Sequence, residues 1–129
     1  MGDIDWRKIP SLTSLRAFEA AARLESVSAA ARSLNVTHAA VTQQVKALEA
    51  HLGVQLLNRT SKGVTPTADG HALSKTLQEG FLTIAAGVAD IAEREANRAV
   101  RVTTTTYFAE VVILPHLAEF WRAHPDIEI

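Results

Sequence analysis

Cysteine is absent from the sequence, so neither a disulfide framework nor a thiolate metal site is open to it. The histidines, His38, His51, His71, His116 and His124, are scattered without paired-ligand spacing, and a zinc site needs several convergent ligands, so no metal or other cofactor is expected. Nowhere do about 18 apolar residues run together, and the opening MGDIDWRKIP has neither an apolar core segment nor a cleavage-like site. A cytoplasmic, unexported protein is expected. A glycine-rich phosphate loop, a nucleophile elbow and a catalytically spaced carboxylate pair are also lacking. Asp69 and His71 lie close together, but they fall in the first turn of a long helix, where the helix dipole accounts for Asp69. The sequence does not read as an enzyme.

Net charge is also scarce, at −1, but the total hides a division along the chain. Residues 1–66 carry eight cations (Arg7, Lys8, Arg16, Arg23, Arg32, Lys46, Arg59 and Lys62) against five acids, whereas residues 67–129 carry five cations against nine acids. Only the first part has the sign that favours phosphate.

What is present is mostly helical pattern. In TSLRAFEAAARLE, Leu15, Phe18 and Ala22 recur at helical spacing with Leu12 behind them, and Ser11 or Thr13 can cap a helix near 13–25. A second, short helix is predicted to start after Ser28 and to end at Leu34. Asn35 tolerates a left-handed backbone and Thr37 is a good cap, so a sharp turn joins this helix to the next, with Ala29, Ala30 and Ala31 permitting close approach. In NVTHAAVTQQVKALE, Val41, Val45, Leu48 and Leu52 mark the buried side of a helix over 37–51. The opposite side carries Ala39, Gln43, Lys46 and Ala50, with Thr42 on its shoulder; an ordinary solvated face would be crowded with Glu and Lys.

Gly53 ends that helix. Leu56-Leu57 and Val64-Thr65 flank the polar RTSKG, a pattern of two short strands around a turn whose tip carries Arg59 and Lys62. Three helices followed by a hairpin is the order of a winged helix-turn-helix, which can place one helix in the DNA major groove and the hairpin along the backbone or minor groove. From Thr67 to about Ala96 no proline intervenes, and Leu73, Leu77, Phe81, Ile84, Val88 and Ile91 recur at three- or four-residue steps. Too little chain remains to cover thirty helical residues, so self-association is expected in preference to a helix lying on its own domain. AVRVTTTT then has the pattern of a strand, FAEVVILPHLAEFWRAH of a helix and PDIEI of another strand, a β-α-β beginning that normally belongs to a larger sheet. The expected fold is therefore mainly α. A winged helix-turn-helix (1–66) is followed by a dimerisation helix (67–97) and by the truncated start of an α/β sensor domain (98–129).

From Leu12 onward the sequence resembles the N-terminal part of a LysR-type transcriptional regulator. The matching stretches are LRAFEAAARLESVSAAARSLNVTHAAVTQQVKALEAHLGVQLLNRTSKGVTPTADG and the later AVRVTTTT, LP and HPDIEI. The helix containing VKALE is similar to those of glycine-cleavage and β-lactamase activators. The resemblance implies a homodimer, tetrameric in some complete members, that binds pseudo-palindromic double-stranded DNA and is controlled by a small-molecule inducer. Carried over by position, Thr37, His38, Ala39, Thr42 and Gln43 fall where the reading helix contacts bases and phosphates. Arg59 and Lys62 fall on the wing, and Thr103, Thr104, Thr105 and Thr106 at the strand end of an inducer cleft. His38 stands where glutamine is common, Gln43 where arginine or histidine is frequent, and Val27 where phenylalanine is usual. The operator therefore cannot be copied from a relative, local repacking near Val27 is expected, and without the rest of the sensor the sequence is not expected to bind inducer.

Chemistry refines these roles. Gln43 can bond adenine through two hydrogen bonds, and Thr42 can bond a base or phosphate or touch a thymine methyl. Lys46, Arg59 and Lys62 suit phosphates better than bases. The threonine run could cradle an anion at a helix N-terminus, but without the rest of the domain a strand end with helix-capping threonines is the expected reading. A winged helix used only for protein contact is the alternative, and it predicts an apolar outward face and an uncharged hairpin tip.

Overall fold

Ser11 starts the first helix: in the computed structural model, which describes residues 2–96 and 99–129, its Oγ accepts a hydrogen bond from the Ser14 amide at 3.2 Å. Helix α1 (Leu12–Leu24) is rich in alanine, and Ala17, Ala20, Ala21 and Ala22 are buried beside Leu15 and Phe18. Small side chains on several faces let it serve as the central element, with Phe18 filling the middle of the core. It ends at Glu25 in the left-handed region (φ 50°), and the Glu25 carbonyl accepts from the Val64 amide at 3.2 Å.

Helix α2 (Val27–Leu34) starts earlier than the sequence reading places it. Ser26, not Ser28, is the cap, with an extended backbone and an Oγ that accepts from the Ala29 amide at 3.0 Å. Val27 must be helical to bury its side chain, so the cap falls before it and Ser28 is left exposed in the first turn. Asn35 takes the expected left-handed conformation (φ 54°, ψ 47°), and the Val36 amide reaches back to the Ala31 carbonyl at 3.0 Å. Helix α3 (His38–Leu52) follows, capped by Thr37, whose Oγ1 accepts from the Ala40 amide at 3.1 Å, and closed by Gly53 at φ 70°.

Val41, Val45 and Leu48 are buried against the core as the spacing requires. Leu52 is not: it is 39% exposed, because it is the helix's last residue and the chain turns away at Gly53. Strands β1 (Leu57–Thr60) and β2 (Gly63–Pro66) pair antiparallel, with Leu57 opposite Pro66 and Thr60 opposite Gly63, and Leu56, Leu57 and Val64 complete the core. A Cβ on Gly63 would lie 2.5 Å from the Glu25 carbonyl oxygen, so only glycine lets the wing sit so close to the α1–α2 turn.

Thr67 caps α4 (Ala68–Ala96): its Oγ1 accepts from the Gly70 amide at 3.0 Å. The apolar stripe expected to serve self-association is divided. Leu73, Leu77 and Phe81 are half-buried against the winged domain's own core, so this part of the stripe is already engaged within the chain. Ile84, Val88 and Ile91 are 61%, 64% and 63% exposed, and Leu82, outside the expected stripe, is 64% exposed. The helix leans on its own domain for its first four turns and leaves apolar side chains open thereafter.

The described residues form two compact units, the first ending at Thr83 and the second beginning at Ile84. In the second unit a helical turn α5 (Thr106–Phe108), a π-helical turn (Ala109–Ile113) and α6 (Leu114–Ala123) run in continuity. The wide turn lies just before Pro115, which has no amide hydrogen to donate and whose ring would crowd the carbonyl four residues back. The strands expected in AVRVTTTT and PDIEI are not formed among the described residues. One backbone bond, from the Val100 amide to the Glu128 carbonyl, links the two segments, and a parallel pair without neighbouring strands makes no ladder. No described residue of this unit is buried, and the sequence-derived boundary at 97 and 98 lies outside the described residues.

Candidate nucleic-acid interface

The turn at Asn35 and the Thr37 cap set α3 across the α2 C-terminus, with one side against α1 and the other open. His38, Ala39, Gln43 and Lys46 are exposed there. Thr37 is exposed as a residue, but its hydroxyl is already engaged in capping α3. Arg59 on β1 and Lys62 in the two-residue wing turn are also exposed. None of Lys46, Arg59 and Lys62 makes an ion pair among the described residues, where the pairs are Arg7–Asp5, Arg23–Glu19 and Arg94–Asp90. Three uncompensated cations beside an open helix face form a field that attracts anions.

Thr42 departs from expectation. The residue is half-buried and its Oγ1 is enclosed with no hydrogen-bond partner, so the hydroxyl does not look outward beside Gln43. The residue lines a groove of about 360 Å³ between α3 and the wing, walled by Val27, Val45, Leu57 and Val64 and bordered by Lys46, Glu49 and Arg59. The groove opens beside Val27, where a larger phenylalanine was expected from the resemblance, and a shorter side chain leaves room there. Val27→Phe is expected to fill part of the groove and to raise stability by about 1 kcal/mol. A lowered melting temperature would show that the walls lack the space.

A second cleft, of about 290 Å³, lies between the start of α2, the start of α3 and the wing, and Ser28, His38, Arg59, Thr60 and Lys62 line it. The sequence reading missed Ser28 and Thr60 as rim residues: Ser28 had been assigned as a cap, and Thr60 is a strand residue without a pattern of its own. The clue was the second serine in SVS, since one cap needs only one of them. Thr103, Thr104, Thr105 and Thr106 lie apart from these features along the chain and are exposed. Thr105 caps α5, its Oγ1 accepting from the Phe108 amide at 3.4 Å, as the helix-capping reading of the run expects, although the strand before it is not formed among the described residues. No cluster of potential metal ligands occurs among the described residues, and none of their helices is long and apolar enough to cross a membrane.

Residues 12–71 match the family described as bacterial regulatory helix-turn-helix protein, lysR family. The chain is 46% identical over 129 residues to the AhcY transcriptional activator HvrB of Rhodobacter capsulatus, covering 100% of this chain and 44% of that protein. It is 34% identical over 123 residues to the glycine cleavage system transcriptional activator of Escherichia coli, covering 95% of this chain and 40% of that protein. Among solved structures, the DNA complex of the CbnR DNA-binding domain is similar at 36% identity and a TM-score of 0.56, over 67% of this chain and 99% of that one. The chain belongs to the LysR family of bacterial helix-turn-helix regulators. It spans less than half the length of the curated relatives named.

Proposed function

We propose that this chain is the DNA-reading and self-associating part of a sequence-specific transcriptional regulator, acting on double-stranded DNA in the cytoplasm and catalysing no reaction. The observation that carries the reading is the open face of α3: Gln43 is exposed between small and basic residues, beside a wing whose Arg59 and Lys62 make no ion pair among the described residues. Gln43, with Ala39 giving close approach, reads base edges in the major groove; Lys46, Arg59 and Lys62 hold phosphates. His38 and the Thr37 backbone, at the start of α3, meet bases or phosphates, and Thr42 lies on the α3 side of the groove that faces the wing. Residues 1–66 read DNA and 67–97 join two copies through Ile84, Val88 and Ile91. Residues 98–129, with Thr103 to Thr106, belong to a sensor that takes its small-molecule inducer only in the complete protein.

DNA complexes of the CbnR and BenM DNA-binding domains are among the similar structures, which supports this reading. A winged helix serving protein contact alone fits less well, since the α3 face is polar and the wing tip cationic. The test is a titration of the chain against random duplex and against duplex enriched by it from a random pool, across a range of salt. Affinity is expected to fall steeply with salt, and Gln43→Ala to cost about 1–3 kcal/mol of discrimination at one base pair while random-duplex binding holds. Salt-independent affinity, or unchanged preference in Gln43→Ala, refutes the assignment.

A further inference from the structure

The backbone of one residue, Leu56, is gripped from two sides. Its amide donates to the Glu49 Oε2 of α3 at 2.7 Å, and its carbonyl accepts from the Thr67 amide at the start of α4 at 2.9 Å. Thr67 tightens the junction further: its hydroxyl donates to the Gln55 carbonyl at 2.8 Å and accepts from the Gly70 amide at 3.0 Å. Gly70 in turn has no room for a Cβ, because the Leu56 carbonyl oxygen occupies the place. The reading helix and the long helix are thus joined through the amide and the carbonyl of a single residue, by bonds that specify direction. The contacts of Leu73, Leu77 and Phe81 with the core hold the long helix down, but apolar contact is non-directional and fixes its angle less well.

We infer that Glu49 and Thr67 are positioning residues that set the half-site spacing the dimer accepts. The inference rests on the proposed reading of α3 as the DNA-reading helix and of α4 as the element joining two copies. The exposed part of the stripe begins at Ile84, so the helix between Gly70 and Thr83 acts as a lever about 20 Å long. A tilt of about 10° at its base moves its far end by roughly 3.5 Å, one base-pair rise, which is the scale on which half-site spacing is read. Neither residue has been assigned a contact with DNA, so loss of the junction alters spacing without altering which bases a single domain prefers.

The experiment uses duplexes carrying two copies of the half-site enriched from a random pool by the wild-type chain, with the spacer at its preferred length or changed by one base pair. The wild-type chain is expected to disfavour the altered spacers by about tenfold, and Thr67→Val and Glu49→Met to reduce that to about twofold. Both variants should keep the wild-type preference on a single half-site, and Thr67→Ser, which retains the hydroxyl, should keep the spacer discrimination. Thermal melts show whether each variant folds; should Thr67→Val lose its cooperative melt, Glu49→Met, which keeps the length of the side chain but has no acceptor oxygen for the Leu56 amide, decides. Undiminished discrimination in the folded variants overturns the inference while leaving the DNA-reading assignment in place. A wild-type chain with no half-site preference overturns both.

Discussion

Replacing Gly70 with alanine is expected to lower the melting temperature by roughly 10 °C, a net loss of about 2 kcal/mol, even though the change improves helix propensity. Gly70 is buried in the first turn of α4. A methyl group there would overlap the Leu56 carbonyl oxygen, with the Leu56 carbonyl carbon at 2.9 Å and its Cα at 3.3 Å. Backbone cannot swing aside as a side chain can, and this carbonyl is also the acceptor for Thr67, so relief would cost the bond that begins the helix. Propensity alone would give about 1 kcal/mol in the other direction, which makes the sign of the change decisive. Gly80 supplies the control. It lies in the same helix with nothing within 4 Å of an added Cβ, so Gly80→Ala should raise the melting temperature by about 5 °C. Thermal melts of the two single variants read both effects. Shifts of the same sign would mean that the Leu56 contact does not constrain the helix.

That contact also marks the limit of what pattern could reveal. The helices were legible because their boundaries are written locally: Ser11, Thr37, Asn35 and Gly53 each act within one turn of their own position. The buried side of α3 was legible because Val41, Val45 and Leu48 obey the helical period. What pattern missed depends on partners distant in sequence. Leu73, Leu77 and Phe81 carry the same periodicity as Ile84, Val88 and Ile91, and nothing in the spacing says that the first three meet the core while the others remain open. Thr42 lies at the edge of the polar face by helical angle, yet the wing folds over that edge and encloses its hydroxyl. The two strand patterns near the end of the sequence are genuine as patterns, but a strand needs a neighbouring edge, and a single bond from Val100 to Glu128 is all these segments supply each other. For the interface itself, the residue types were readable, and so was the basic wing tip. Ser28 and Thr60 joined it only through the approach of the wing to the starts of two helices.

The wing cations offer the largest expected effect. Arg59→Ala combined with Lys62→Ala removes two charges that have no intramolecular partner, so the fold should be unchanged and the loss should appear in DNA affinity alone. Counterion release gives the scale: losing two phosphate contacts costs about thirtyfold per winged domain near 0.15 M salt, hence roughly a thousandfold for a complex of two domains. The same account requires the salt slope to become shallower by about four units for two domains and the two affinities to converge near 1 M salt. Binding isotherms of the wild-type chain and the double variant at several salt concentrations measure all three quantities. Because phosphates carry no sequence information, the ratio between enriched and random duplex should stay close to the wild-type value, whereas Gln43→Ala should reduce that ratio and leave the slope intact. The two variants therefore separate along different axes, one in affinity and salt dependence, the other in discrimination. A double variant that lost discrimination while keeping its salt slope would place Arg59 or Lys62 on a base edge and remove the division of labour between helix and wing.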